Sequence, residues 1–188
     1  MESYGLNGKC VFNCSSTTWA DPFHANRICA TSCTYSPSGT KSYGYNFTRK
    51  CVATCPDTHF GQVISTIPLC VFVCQNNEFG YPVTNLCVAN CPAPYYGDPT
   101  GNRTCVLECL QSGYYALNLS AEGTPTLANR TCVQVCPYGW ADNITRMCAM
   151  TPFDCSEGLY AHQSNHKCVL PIDCTGGFAD PVSRKCVT

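Results

Sequence analysis

Charge is scarce in this chain of 188 residues, with 11 basic and 12 acidic side chains and a formal net charge of −1. No basic field is present to neutralise a phosphate backbone, which argues against nucleic acid as a partner. Long apolar runs are missing too. Stretches such as Leu69–Val73 fall far short of the roughly 20 residues a spanning helix needs, so no membrane span is expected in this segment. No stretch of 11 residues carries a helical period, and little or no helix is expected. The C-x-x-C spacing of a redox enzyme occurs nowhere, and the few Asp and Glu recur as turn residues rather than as carboxylate pairs. The expectation is no enzyme, no catalytic residue and no cofactor. The opening Met1–Lys9, MESYGLNGK, has neither the basic nor the apolar region of a secretory leader, and reads as the start of a mature piece or of a segment of something longer. Disorder is disfavoured by eleven Tyr, eight Phe and two Trp.

Cysteine, by contrast, is abundant. Nineteen of the 188 residues are Cys, above the range of about 8–10% at which a chain reads as a disulfide scaffold. A reducing cytosol would keep so many thiols only as metal ligands or catalytic groups, whereas an oxidising compartment joins them. Six N-x-S/T acceptors point the same way, at Asn13, Asn46, Asn102, Asn118, Asn129 and Asn143. An extracellular or cell-surface chain carrying N-linked glycans is the expected class.

The cysteines recur in pairs with three residues between them: Cys10/Cys14, Cys29/Cys33, Cys51/Cys55, Cys70/Cys74, Cys87/Cys91, Cys105/Cys109 and Cys132/Cys136. The interval then widens at Cys148/Cys155 and Cys168/Cys174, and Cys186 closes the series. A recurring period marks a repeat array. Val or Ala follows every first cysteine. After the second comes an aromatic and a small residue, as in Trp19-Ala20, Phe60-Gly61, Phe79-Gly80, Tyr96-Gly97, Trp140-Ala141, Tyr160-Ala161 and Phe178-Ala179. Asp-Pro or Asp then leads into a polar turn, and Asn-Arg or Thr/Ser-Arg precedes the next cysteine. Pro presets φ and Asp or Asn bonds its own backbone, so each repeat reads as a β-hairpin with the aromatic leading in and Cys-Val leading out. Such a hairpin is too small to be stable alone. The expected fold is a small disulfide-rich, β-hairpin-containing, elongated tandem-repeat array: residues 1–188 as one continuous series of about nine laddered repeats, cut mid-repeat at both ends, with longer exposed loops at 34–50 and 110–131.

Spacing alone does not choose the pairing. Like repeats should make like bonds, and the simplest ladder joins the second cysteine of one pair to the first of the next: Cys14–Cys29, Cys33–Cys51, Cys55–Cys70, Cys74–Cys87, Cys91–Cys105, Cys109–Cys132, Cys136–Cys148, Cys155–Cys168 and Cys174–Cys186. Cys10 is left unpaired or available for an intermolecular bond.

The motifs Cys51-Val-Ala-Thr-Cys55-Pro56, Cys87-Val-Ala-Asn-Cys91-Pro92 and Cys132-Val-Gln-Val-Cys136-Pro137, each followed by an aromatic, resemble the furin-like, or growth-factor-receptor cysteine-rich, repeats of receptor ectodomains and secreted surface proteins. The resemblance covers nearly the whole chain, and departs at the widened pairs and at the insertions before Cys51 and Cys132. It implies single-disulfide modules like the ladder, or modules interlocked first to third and second to fourth, such as Cys10–Cys29 with Cys14–Cys33. The ladder is preferred because the sequence shows one kind of repeat.

Zinc is the main competitor for closely spaced cysteines. The histidines His24, His59, His162 and His166 show no ligand spacing beyond the i, i+4 of the last two, and no metal site is expected. The recurring aromatics could form a ligand-binding stripe; the simpler reading is that each covers its own disulfide, with the recurring Arg stacked on a neighbouring ring. The resulting expectation is an extracellular structural protein, a glycosylated repeat rod forming a surface coat or filament, its partners being copies of itself or adjoining repeats of a longer chain, head to tail. The alternative is a ligand-binding receptor or adhesin ectodomain segment of the growth-factor-receptor cysteine-rich type.

Overall fold

A computed structural model describes residues 3–7, 9–33, 39–117 and 130–188, with the backbone alone for Lys9 and Cys10. The described residues are nearly all strand and turn, and they divide into two compact bodies, Met1–Ala89 with Asn102–Thr104, and Asn90–Gly101 with Cys105–Thr188. The first body holds five hairpins: Tyr4–Leu6 with Lys9–Val11 (β1, β2), Trp19–Asp21 with Ile28–Ala30 (β3, β4), Tyr43–Tyr45 with Lys50–Val52 (β5, β6), Phe60–Ile64 with Ile67–Val71 (β7, β8) and Phe79–Tyr81 with Leu86–Val88 (β9, β10). The second holds Tyr96–Gly97 with Cys105–Val106 (β11, β12), Tyr115–Leu117 with Thr131–Val133 (β13, β14), Trp140–Asp142 with Met147–Ala149 (β15, β16), Tyr160–His162 with Lys167–Val169 (β17, β18) and Phe178–Asp180 with Lys185–Val187 (β19, β20).

Every hairpin has one register. The small residue of the first strand lies opposite the cysteine of the second, from Gly5↔Cys10 and Ala20↔Cys29 through to Ala179↔Cys186. The aromatic lies opposite the Val or Ala after that cysteine, as in Tyr43↔Val52 and Trp140↔Ala149. Aromatic facing β-branched residue is a stabilising cross-strand pair.

Hairpins join by one rule within each body. The first strand of a hairpin pairs antiparallel with its own second strand and parallel with the second strand of the next hairpin, as β3 does with β4 and β6. The result is the interleaved order β2-β1-β4-β3-β6-β5-β8-β7-β10-β9, and the same pattern from β12 to β19 in the second body. At each joint the backbone N–H of a small residue donates to the carbonyl two residues before the next closing cysteine: Ala20 to Arg49 at 2.8 Å, Gly61 to Asn85 at 2.7 Å, Ala116 to Arg146 at 2.8 Å and Ala161 to Arg184 at 2.9 Å. The residue offering that carbonyl is left-handed at Arg49, Asn85, Arg146, His166 and Arg184, with φ between 52° and 58°. Left-handed backbone costs a non-glycine residue roughly 1–2 kcal/mol.

Nine disulfides connect the second cysteine of each pair to the first of the next, Cys14–Cys29 through Cys174–Cys186, with sequence separations of 12 to 23 residues. In the chain-entropy picture each closure of this length stabilises by about 3 kcal/mol. Among the described residues the helix lies in the widened pairs, as single 3₁₀ turns over Pro152–Asp154 and Pro171–Asp173, each with proline at its start. The extra residues between Cys148 and Cys155, and between Cys168 and Cys174, are spent on these turns.

The two expected long loops need correction. Within 34–50 and 110–131 lie β5 and β13, and Tyr43, Tyr115, Ala116 and Leu117 are buried. Tyr43-Gly44 and Tyr115-Ala116 are the aromatic-small pairs of their repeats, shifted from the preceding cysteine by inserted residues. Residues 34–38 and 118–129 lie outside the described segments.

Candidate functional site: the joint between repeats and its hairpin turns

The side chains that recur in the sequence converge where one repeat meets the next. In each of five buried clusters an aromatic packs on the disulfide of the following repeat: Trp19 with Cys33–Cys51, Tyr43 with Cys55–Cys70, Tyr96 with Cys109–Cys132, Tyr115 with Cys136–Cys148 and Trp140 with Cys155–Cys168. This corrects the expectation that each ring covers its own disulfide. The ring reaches forward because the parallel pairing sets the next small residue and its facing cysteine against it. Where that residue is glycine the fit is close: a Cβ on Gly44 would lie 2.7 Å from Trp19, on Gly61 2.7 Å from Tyr43, and on Gly80 2.3 Å from Phe60.

At five joints an arginine of the following repeat lies over the ring, and at those of Trp19, Tyr96 and Tyr115 it is the ring already seated on the next disulfide. Guanidinium-to-ring distances are 4.9 Å for Arg49 over Trp19, 5.5 Å for Arg103 over Phe79, 4.6 Å for Arg130 over Tyr96, 5.6 Å for Arg146 over Tyr115 and 5.9 Å for Arg184 over Tyr160. The fork also binds backbone. Arg49 Nη2 donates to the carbonyls of Ser15 (2.9 Å) and Thr18 (2.8 Å), Arg146 Nη2 to those of Cys109 (3.3 Å) and Gln111, and Arg184 Nη2 to Cys155 (3.1 Å), Ser156 (2.9 Å) and Leu159 (3.0 Å). Planar, multidentate arginine suits this work where lysine would not. Stacking and fork bonds offset the left-handed backbone that brings the side chain there.

Carboxylates are spent on the hairpin turns. Asp21 Oδ1 accepts from the N–H groups of Phe23 (2.9 Å) and His24 (3.2 Å), and Asp98 Oδ1 from the N–H and hydroxyl of Thr100 (2.8 and 2.6 Å). Asp142, fully buried, reaches further. Its Oδ1 accepts from Ile144 N–H (2.8 Å) and Thr145 N–H (3.3 Å), and its Oδ2 from the N–H and hydroxyl of Ser156 (2.7 Å each) in the next repeat. Burial works to raise the Asp142 pKa, but the Ser156 hydroxyl and the three N–H donors outweigh it and hold the carboxyl below its ordinary value. The Ser183 hydroxyl and Val182 N–H lower Asp180 likewise, while burial pushes the Tyr43 phenol up.

Four sequon asparagines, Asn13, Asn46, Asn102 and Asn143, are exposed, and the last three sit in hairpin turns. Asn118 and Asn129 lie outside the described residues, and so does the side chain of Cys10, whose backbone pairs with Gly5. Eighteen cysteines are in disulfides. His162 and His166 do not converge: His162 is buried between the hydroxyls of Ser164 (3.0 Å) and Thr175 (3.3 Å), whereas His166 Nδ1 donates to the Gly139 carbonyl at 3.1 Å. Among the described residues no group of three or more His, Cys, Asp or Glu is disposed to hold a metal ion, and no helix is long and apolar enough to cross a membrane.

Three joint aromatics, Tyr4, Tyr43 and Tyr115, escape the cysteine-based spacing rule. Their signal is local: an aromatic directly before Gly or Ala, with a cysteine 5, 7 or 16 residues beyond the small residue. No family model, curated protein or solved structure matches this chain. Dense disulfide bonding fits an oxidising, extracellular setting.

Proposed function

We propose that the chain is an extracellular structural protein, a non-enzymatic, N-glycosylated repeat array that contributes to a surface coat or filament and associates with further repeats of its own kind. The observation that carries this reading is that, among the described residues, the recurring cysteines, arginines, aspartates and rings are engaged in building the repeat itself. Eighteen of the nineteen cysteines are in disulfides, arginines clamp rings and carbonyls, the Asp21, Asp98 and Asp142 carboxylates fix turns, and the rings at the joints are buried or half-buried. A ring stripe for binding would need those faces free. The resemblance of the Cys-Val-x-x-Cys-Pro motifs to furin-like repeats supports the same compartment.

A second reading, the receptor or adhesin segment, is favoured by grooves that recur in one register. In the second body Tyr96, Leu107, Leu110, Ile144 and Met147 line about 380 Å³, and in the first body Tyr43, Thr54, Thr84 and Leu86 line about 550 Å³. Electron microscopy of native material separates the two. Filaments or a continuous coat are expected for the structural protein, and isolated single copies that bind a soluble partner tightly would overturn it.

A further inference from the structure

Two of the exposed sequon asparagines are tied into the joint. Asn46 and Asn143 occupy the same position, two residues after the small residues Gly44 and Ala141. Asn46 Oδ1 accepts from Trp19 Nε1 at 3.2 Å and from Arg49 Nη1 at 3.2 Å. Indole and guanidinium are donors only, so the amide sits with its oxygen against the joint and Nδ2 turned away from both donors. Asn143 Oδ1 accepts from the Tyr115 hydroxyl at 2.6 Å. In each case the ring belongs to the preceding repeat. Among the described residues, neither Asn13 nor Asn102 is tied to a preceding ring.

Attachment of a glycan leaves these bonds intact. The transfer forms a bond between Nδ2 and C1 of N-acetylglucosamine, breaks the bond from C1 to the pyrophosphate of a lipid-linked oligosaccharide donor, and releases one of the two Nδ2 protons. Oδ1 keeps its lone pairs and its donors. We propose that Asn46 and Asn143 carry joint glycans, whose first sugar is held at the edge of the preceding repeat's ring and screens that joint from water. The proposal rests on the glycosylated, extracellular reading above and adds to it which acceptors are built to hold their sugar and by which atoms.

The test uses the full chain secreted from eukaryotic cells, with occupancy read by intact glycopeptide mass spectrometry and release followed under native conditions with a peptide N-glycosidase. Tyr115→Phe keeps the ring and removes the hydroxyl. It is expected to speed release at Asn143 at least fivefold and to leave Asn46 unchanged, while Trp19→Phe is expected to do the converse. In the unsubstituted chain, release at both sites is expected to be slower than from the denatured protein by more than tenfold. Empty Asn46 and Asn143 would remove the glycosylated reading at these positions together with the proposal. Occupied sites whose release is as fast as from the denatured protein, or unmoved by either substitution, would overturn the proposal alone.

Discussion

Gly80→Ala and Gly5→Ala are the same chemical change at the same place in two hairpins, and they should have opposite signs. A Gly→Ala change in unstrained backbone ordinarily stabilises by about 0.4–1 kcal/mol, because the unfolded chain loses freedom. At Gly5 nothing among the described residues opposes that gain, since there the new Cβ would meet Ile28 Cγ2 at 3.9 Å. At Gly80 the new Cβ would lie 2.3, 2.4 and 2.5 Å from three atoms of the Phe60 ring, which is itself buried. The ring would have to retreat by about 1 Å from a seat bounded by its own sheet, an overpacking that costs about 1–3 kcal/mol. The net effect at Gly80 is a loss of about 1–2 kcal/mol, which multiplies the open population by about 5–30. Nine disulfides hold the unfolded chain together, so a thermal midpoint would blur a local event, and native-state hydrogen exchange is the better assay. The Gly61 amide reports this joint, because it donates to the Asn85 carbonyl at 2.7 Å. Its exchange should speed about 5- to 30-fold in Gly80→Ala, while Gly5→Ala leaves the amide at position 5 unchanged or slower. Less than a twofold change at Gly61, or acceleration of equal size from Gly5→Ala, would refute the forward seating of each ring on the next repeat.

Arg49→Lys keeps the charge but loses the fork that holds Ser15, Thr18 and Asn46 together; about 1–2 kcal/mol of local stability should go with it, read as faster exchange at the Ala20 amide, and unaltered exchange would reduce the stacked arginine to surface decoration. His166 stands where five other joints carry a ring-stacking arginine, and His166→Arg should gain about 0.5–1 kcal/mol by stacking on Trp140; a lower melting point would show that this joint is built differently. Because the Asp142 pKa is lowered on folding, its contribution is fully present above the unfolded-state value and fades as pH falls through the folded one, so the Cys136–Cys148 repeat should lose stability below about pH 4. Urea titrations from pH 2 to 6 should show that loss diminished in Asp142→Asn, and an identical acid limb in both proteins would contradict the assignment.

Much of this fold is legible in the order of its residues. An aromatic, a small residue, a turn rich in Asp, Pro and Asn, and Cys-Val describe two short strands, and the hairpins follow because each step agrees with the next. What sequence spacing does not carry is direction along the array. Nothing in Trp140-Ala141 announces that the indole belongs to the Cys155–Cys168 disulfide rather than to Cys136–Cys148; that is settled by parallel pairing between a first strand and the following second strand, here a contact between Ala141 and Lys167. Insertions hid Tyr43 and Tyr115 for a related reason. Loop length between cysteine and aromatic is free to vary, whereas the pairing of small residue with closing cysteine is not, so the constant register lies across the hairpin and not along the chain. The turns carry the rest. Asn46 and Asn143 can be recognised as sequons from three residues each, but their bonds to Trp19 and Tyr115 exist only once neighbouring repeats have paired.

Replacing Cys136 and Cys148 together by serine tests most directly whether bridges and neighbour contacts, rather than a common interior, hold the chain. With the bond of separation 12 gone, about 3 kcal/mol of local stability should be lost. Hydrogen exchange should then rise from Trp140 to Ala149 and at the two flanking joints, those of Tyr115 and Trp140, and stay unchanged at the Ala20 and Gly61 amides. Uniform acceleration throughout the chain, or none at all, would contradict it.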